Sequence, residues 1–455
     1  MSKSDRKQKV GQDVSISRER ITCLKRIVGK RYLKRKIERR NLDKRRCKKC
    51  PSYLIVWFAI AMWFFGNDSY TQVFRWLHRF SKKFTPSSSA LTQARARIGV
   101  SIMSDVYREV VTCLCSKGTP ESFYAGRRLV AVDGFVANLP DSEENRRAFG
   151  RTKNGTSYGA FPQARVVALC EVGSRVFFSF LAKPIRCGEV TLAKHIYRDL
   201  PEESLLLFDI GFCAYGLMQK VVDRHSDFLG RSKMNRCFEK MKVLSDGSYL
   251  SKIYATDYDR THDRNGTTVR VIEYTLDDPQ RVGYQEHHRL VTTLLDEHEH
   301  PAETLITLYH ERWEEELAID EAKTHLRHRP ALRSHRPAGV VQEIYGLLIA
   351  HFIIRKLAFE AAKQAKVSPR RISFTGTINV LRARLPEAPR SRHLIAEWYK
   401  ALLEEISLEV LEKRRNRINP RVIKRPQSKW PKKQMKHRKL TPLKHRFNET
   451  IVVLT

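Results

Sequence analysis

Apolar residues fall into blocks whose spacing changes along the chain. From Pro51 to about Lys117, the segments YLIVWFAIAMWFF, YTQVFRWLHRF, SSSALTQARARIG and MSDVYREVVTCL carry the three-to-four-residue spacing of helices. Serines ahead of the third segment suit an N-cap. From Arg128 the blocks shorten to strand-like runs: RLVAVDGFV, then, after a polar Gly-rich stretch, ARVVALCEV and RVFFSFLAKP joined by a Gly-Ser turn. GEVTLAKHIYRDL reads as helix, SLLLFD as a fully apolar strand, GLMQKVVDR as helix and DFLGRS as strand. This β-β-β-α-β-α-β order predicts a mixed α/β core. Between Arg231 and Pro301 the strand-like pieces VRVIEYTL and HRLVTTLL sit in polar sequence, which predicts an inserted β-rich subdomain at about 233–300. After Pro301, ETLITLYHERWEEELAIDEAKTHLRH predicts one long helix.

At 455 residues the chain has room for two or three domains, and 42% hydrophobic content excludes wholesale disorder. Charge changes the picture more. The net charge is +36, and it is concentrated at the two ends: residues 1–50 hold 20 Lys/Arg against 5 acids, and residues 413–446 hold 15 Lys/Arg and no acid. Two basic ends around a balanced body point to a polyanion gripped by its phosphates, with nucleic acid the leading candidate. The expected organisation is a flexible basic arm over 1–50, a helical DNA-binding domain over 51–120, a catalytic domain over 121–412 and a basic tail over 413–455. Arg95 and Arg97, on the third predicted helix, offer either a DNA-facing surface or an ordinary solvated face. Nine scattered cysteines without dense spacing fit a reducing cytoplasm, and MSKSDRKQKV has no signal-peptide core. The longest apolar run, Tyr53 to Phe65, has 13 residues, short of the ~20 that cross a bilayer, so it predicts a buried helix and no membrane partner. Cys47-x-x-Cys50 is half a zinc site without two further ligands nearby.

Candidate chemistry lies in the middle. Asp133 and Asp209 end the apolar runs LVAVD and LLLFD, where a central sheet presents side chains to a ligand; an Asp there also serves as turn former or helix cap. On the long helix, at about 100° per residue, Tyr309, Arg312, Glu316 and Lys323 fall at roughly 0°, 300°, 340° and 320°, on one face. Asp320 falls near 20° on that same face, so the helix alone does not choose between the acids, and an exposed charge ladder remains the plain alternative. If Asp133, Asp209 and Glu316 converge, they form a hard-oxygen site suited to two Mg²⁺ (or Mn²⁺) ions, the arrangement that serves phosphodiester chemistry. The chain has no P-loop, dinucleotide-binding glycine motif, H-E-x-x-H or nucleophile elbow.

These residues carry a resemblance. VDG at Asp133, FDIGFCAYG from Asp209 and YHERWEEELAIDEAK from Tyr309 to Lys323 resemble the DDE transposases of bacterial insertion sequences, in the insertion-sequence-four branch with its Tyr-Arg-Glu-Lys signature. TQARARIG and RVIKRPQSKWPKK extend the likeness to nearly the whole chain beyond the basic arm. The resemblance implies an RNase H-like catalytic core with a β insertion between the second Asp and the Glu. It implies a metal-binding catalytic triad of Asp133, Asp209 and Glu316, with Tyr309, Arg312 and Lys323 on the DNA phosphates near the cut end. The implied enzyme binds the terminal inverted repeats of its own element, cuts at the ends and joins them to target DNA. A dimeric synaptic complex and a cytoplasmic, nucleoid-associated location are implied with it.

Where relatives often have Lys-Gly-Tyr after the second Asp, this chain has Ile210-Gly211-Phe212, losing a cation and a hydroxyl. Residues 233–300 contain no Trp to stack a flipped base, which puts a hairpin route in question. Trp313 is expected in the core rather than on a base. His287, His288, His298 and His300 are expected on a surface loop. The rival readings are a Mg-dependent nuclease without strand transfer and a non-catalytic DNA-binding derivative; an intact triad speaks against the latter.

Overall fold

The computed structural model describes Arg20, Leu24 and residues 26–43, 50–78, 85–154, 157–279, 284–327, 329–389, 391, 393–412 and 445–454. Five helices lead: α1 (Lys30–Arg39), α2 (Ser52–Phe64), α3 (Tyr70–Leu77), α4 (Ser88–Ile98) and α5 (Ser101–Val110). Ser69 and Ser87 cap α3 and α4, their side chains accepting from the N–H of Gln72 and Ala90. The described part of the basic arm departs from the flexible chain expected there. Leu33 and Ile37, one turn apart on α1, are buried together with Leu24, Ile27 and Val28. Cys47, and with it the Cys-x-x-Cys pair, lies outside the described residues.

The catalytic half follows as β1 (Arg127–Asn138), α6 (Glu143–Phe149), β2 (Gln163–Glu171), β3 (Val176–Pro184), α7 (Glu189–Ile196), β4 (Ser204–Phe208), α8 (Tyr215–Val222) and β5 (Asp227–Arg231). Its strand order is β3-β2-β1-β4-β5, antiparallel on the β3 side and parallel from β1 to β5. That is the RNase H-like core expected from the sequence. Next come β6 (Tyr249–Ile253), β7 (Thr267–Leu276) and β8 (His288–Thr292). They are not a detached subdomain: β8 pairs antiparallel with β5, and β7 and β6 continue the same sheet. Burial on both faces explains this, because Val269, Val271 and Val291 on one side and Ile272 and Leu290 on the other need cover that a free-standing hairpin lacks.

After the site helices come α9 (Ala302–Tyr309), α10 (Trp313–Asp320), α11 (Pro337–Ala365), α12 (Phe374–Arg384) and α13 (Ile395–Ser407). A last strand, β9 (Ile451–Val453), pairs with β7. The rest of the basic tail, 413–444, lies outside the described residues, as does its RVIKRPQSKWPKK motif.

Two layers of helices flank the sheet, α7 and α8 on one face and α9 on the other. A larger core joins α1–α5 to α11–α13, so the boundary expected near residue 120 does not separate two cores. α2 is apolar all round and buried. Its partner α11 is long and apolar enough to cross a membrane but is mostly buried inside the fold.

Candidate active site

Asp133 lies within β1 rather than at its end. Its neighbour β4 is the strand that stops: the parallel pairing closes at Val132–Phe208, which sets Asp133 beside Asp209 at the carboxyl edge of that pair. Asp209 also fills the plain role open to it, capping a 3₁₀ turn over Ile210–Phe212, with Oδ1 accepting from the Gly211 N–H at 2.9 Å. Of the two positions that depart from the family pattern, Ile210 is exposed, whereas Phe212 is buried between α7 and α8.

The predicted long helix is one rod with two irregular turns. α9 passes through a 3₁₀ turn at His310–Arg312 into α10, which runs into a π turn at Glu321–Leu326. Such turns re-aim side chains and gather at functional sites. Between them, three consecutive glutamates of α10, about 100° apart around the helix, meet three environments. Glu314 is buried on Arg175. Glu315 is buried towards Asp133, and among the described residues neither of its carboxylate oxygens has a hydrogen-bond partner. Glu316 remains a third exposed and accepts from Arg312 Nη2 at 2.8 Å.

Electrostatics tie the site together. Burial is the largest influence on the Asp133 carboxyl; with the charges of Asp209 and Glu316 it pushes the pKa up to about 6, against the pull of the Gly134 N–H and Arg312. That N–H lies 2.6 Å from Asp133 Oδ1. Burial and then Asp133 raise the Glu315 carboxyl well above its usual range, and the Asp133 amide draws it down without reaching hydrogen-bond geometry. Burial works to lower the Arg312 guanidinium, but Tyr309, Glu316 and Asp133 outweigh it and raise it. Arg312 lies 5.9 Å from the ring centre of Tyr309, whose buried phenol is pushed up by desolvation.

Asp133, Asp209, Glu316, Arg312 and Tyr309 therefore share one site. Lys323 is half-buried in the π turn, with no ion pair or hydrogen bond among the described residues. Asp320, which the helix alone left open, turns outward and accepts from the Thr324 hydroxyl. Arg95 corrects the expectation of a DNA-facing side chain. It is 5% exposed, and its guanidinium donates to Gln342, Tyr70, Ser334, Glu343 and the Gly339 carbonyl. Arg97 is exposed and donates to the Cys50 carbonyl. Trp313 is 45% exposed, contrary to the core position expected of it. Of the four histidines, His288 and His300 are buried, paired with Arg231 and Tyr124, whereas His287 and His298 are exposed.

Among the described residues, no group of three or more acidic, His or Cys side chains stands close enough together to hold a metal ion as placed. The donor chemistry nevertheless fits a hard divalent cation: Asp133 is desolvated and carries the repulsion of two further carboxylates, which Arg312 and the Gly134 N–H only partly offset. Turning Glu316 from Arg312 towards the aspartates is the rearrangement this set requires.

Residues 124–353 match the family described as "Transposase DDE domain", and residues 18–108 match "Insertion element 4 transposase N-terminal". The chain is 27% identical over 396 residues to "Transposase InsG for insertion sequence element IS4" of Escherichia coli (strain K12), covering 85% of this chain and 88% of that protein. It is 28% identical over 189 residues to "Putative transposase InsZ" of the same organism, covering 40% of this chain and 62% of that one. A solved piggyBac transposase synaptic complex with hairpin DNA superposes with a TM-score of 0.44 at 9% identity, covering 88% of this chain and 87% of the other.

Proposed function

Since the chain belongs to the insertion-element-4 family of DDE transposases, we propose that it binds the terminal inverted repeats of its own element, cleaves at the ends and transfers the freed 3′-hydroxyls to target DNA. Divalent-metal dependence comes with the DDE domain; Asp133, Asp209 and Glu316 would hold the ions, two Mg²⁺ (or Mn²⁺), which supply Lewis acidity at the scissile phosphate. The observation that carries the reading is the parallel pairing that sets Asp133 beside Asp209 where β4 ends, with the Arg312–Glu316 pair near enough to act on the Asp133 carboxyl.

The chain's own residues divide the remaining work. Arg312 holds Glu316 through an i,i+4 ion pair and presents positive charge next to the carboxylates, a place for a phosphate oxygen. Tyr309, buried under that guanidinium, fixes its direction. Lys323, in the π turn, is the cation left for a phosphate further along the end. The exposed indole of Trp313 lies next to Arg312 in the chain, where an unstacked base could rest. The exposed Arg97 and the basic ends add sequence-independent grip on the duplex. Holding two ends at once calls for a dimer on DNA, acting in the bacterial cytoplasm at the nucleoid.

The deciding experiment uses purified full-length protein and a labelled duplex taken from the gene's own flank. Wild type and Asp209→Asn are compared with Mg²⁺ and with EDTA, scoring nicked and joined products. Cleavage and joining only with metal and the intact Asp209 are expected. Cleavage without joining would turn the reading to a nuclease, and binding with no cut in either protein to a DNA-binding derivative.

A further inference from the structure

Behind the acidic helix lies a buried charge cluster that the reaction does not use directly. Arg175 sits in the turn between β2 and β3, in the left-handed region at φ 59°, and donates through Nε to Glu314 Oε2 at 2.6 Å. Its Nη1 donates to Glu321 Oε1 at 3.0 Å. Glu321 is gripped again from α11: Arg355 donates to both its oxygens, with Nε at 2.8 Å from Oε2, and His351 Nε2 lies 3.1 Å from Oε2. All five residues are at most 6% exposed. Burial holds His351 down at about 3, so it is neutral, and two arginines balance two glutamates.

Placement on the rod gives this cluster its meaning. Glu314 and Glu321 are seven residues apart, so at about 100° per residue they return to within roughly 20° of one face, while Glu316 points about 200° away from Glu314. Glu314 opens the stretch that displays Glu316, and Glu321 is the first residue of the π turn that carries Lys323. We propose that Arg175 is a positioning residue: by bridging Glu314 and Glu321 it locks the rotation of this rod, and thereby fixes the helix face from which Glu316 can turn from Arg312 to Asp133 and Asp209, and sets the π turn. This rests on the function proposed above. A side chain held by neighbours that touch neither DNA nor metal still governs the chemistry, because outer partners of metal ligands typically change metal affinity about 10–100-fold.

Removing Arg175 alone would take the arginine from the buried Glu314 carboxylate and risk the fold. The test therefore uses Arg175→Gln combined with Glu314→Gln, which leaves Arg355 and Glu321 balanced, alongside Arg175→Lys and wild type. Four quantities are measured on full-length protein: thermal melting, Mn²⁺ affinity by calorimetry, affinity for an end duplex in EDTA, and the Mn²⁺ concentration for half-maximal cleavage. The expected result is a double variant that melts within a few degrees of wild type and binds the duplex equally. Its Mn²⁺ affinity falls by about 10-fold or more and its cation requirement rises in parallel, with Arg175→Lys in between. A folded double variant with wild-type Mn²⁺ affinity and cation requirement overturns the proposal. So does a joint loss of melting temperature, duplex binding and Mn²⁺ binding, which marks a purely structural role. If wild type binds Mn²⁺ but cuts nothing, the proposed reaction fails while calorimetry still decides the positioning role.

Discussion

Three neighbouring glutamates, chemically identical, end up with three different tasks: an anchor, a buried carboxyl and a candidate ligand. At this scale Asp133 makes the sharpest prediction. Its pKa of about 6 in the fold lies above the ordinary 3.8, so the fold favours the protonated acid. Ionised Asp133 therefore costs stability above about pH 6, and that cost disappears below pH 3.8. Asp133→Asn is expected to melt above wild type at pH 8 in EDTA, with the gap closing towards pH 4. Adding Mn²⁺ at pH 8 should reverse the order, because only wild type gains a bound cation. Identical melting of the two proteins across that pH range would remove the electrostatic account of the site.

Among the elements, helices meeting backbone to backbone matter as much as the sheet. α2 and α11 approach so closely at Gly346 that a Cβ there would lie 2.5 Å from the Ala59 carbonyl oxygen and 3.1 Å from Trp63 Nε1. Neither neighbour is a flexible side-chain tip, so the helices must separate. Gly346→Ala should lower unfolding stability by about 1–3 kcal/mol, as overpacked cores do. Gly216→Ala, on α8 with nothing within 4 Å of its would-be Cβ, should be neutral or stabilise by up to about 1 kcal/mol. Denaturant midpoints compare the two directly, and equal shifts would contradict the close approach. The 3₁₀ and π turns of the site rod belong to this scale as well. Helical periodicity assumed an even rise through Tyr309, Arg312, Glu316 and Lys323, yet in the structure a 3₁₀ turn interrupts the rod at Arg312 and a π turn at Lys323.

For the whole molecule, the proposed function assigns grip on DNA to the basic ends and chemistry to the balanced body. Replacing Lys429, Lys432, Lys433, Lys436, Arg438 and Lys439 by Gln removes six positive charges from the tail. Each DNA phosphate that the altered tail no longer neutralises should flatten the slope of log affinity against log salt by about 0.9. Cleavage of pre-bound duplex at low salt should stay unchanged. An unaltered salt slope would show that the tail does not touch phosphate.

Alternating and helical spacing determined the βββαβαβ order and the acid-bearing helix, because period is a local property, whereas Asp133, read as a strand end, lies inside β1, and only the parallel pairing with β4 sets it beside Asp209. The Tyr-Arg-Glu-Lys spacing brought the family resemblance with it. What surrounds each side chain was decided by partners far along the chain. Arg95 looked solvated because nothing nearby in sequence showed that Gln342 and Glu343, some 250 residues on, would enclose it. Likewise β8 joins β5 rather than closing a separate subdomain, and Glu314, Glu315 and Glu316 part company only where Arg175, Asp133 and Arg312 reach them. Local pattern chooses the elements; burial and charge pairing between distant segments, which exist only in the packed fold, choose what each residue does.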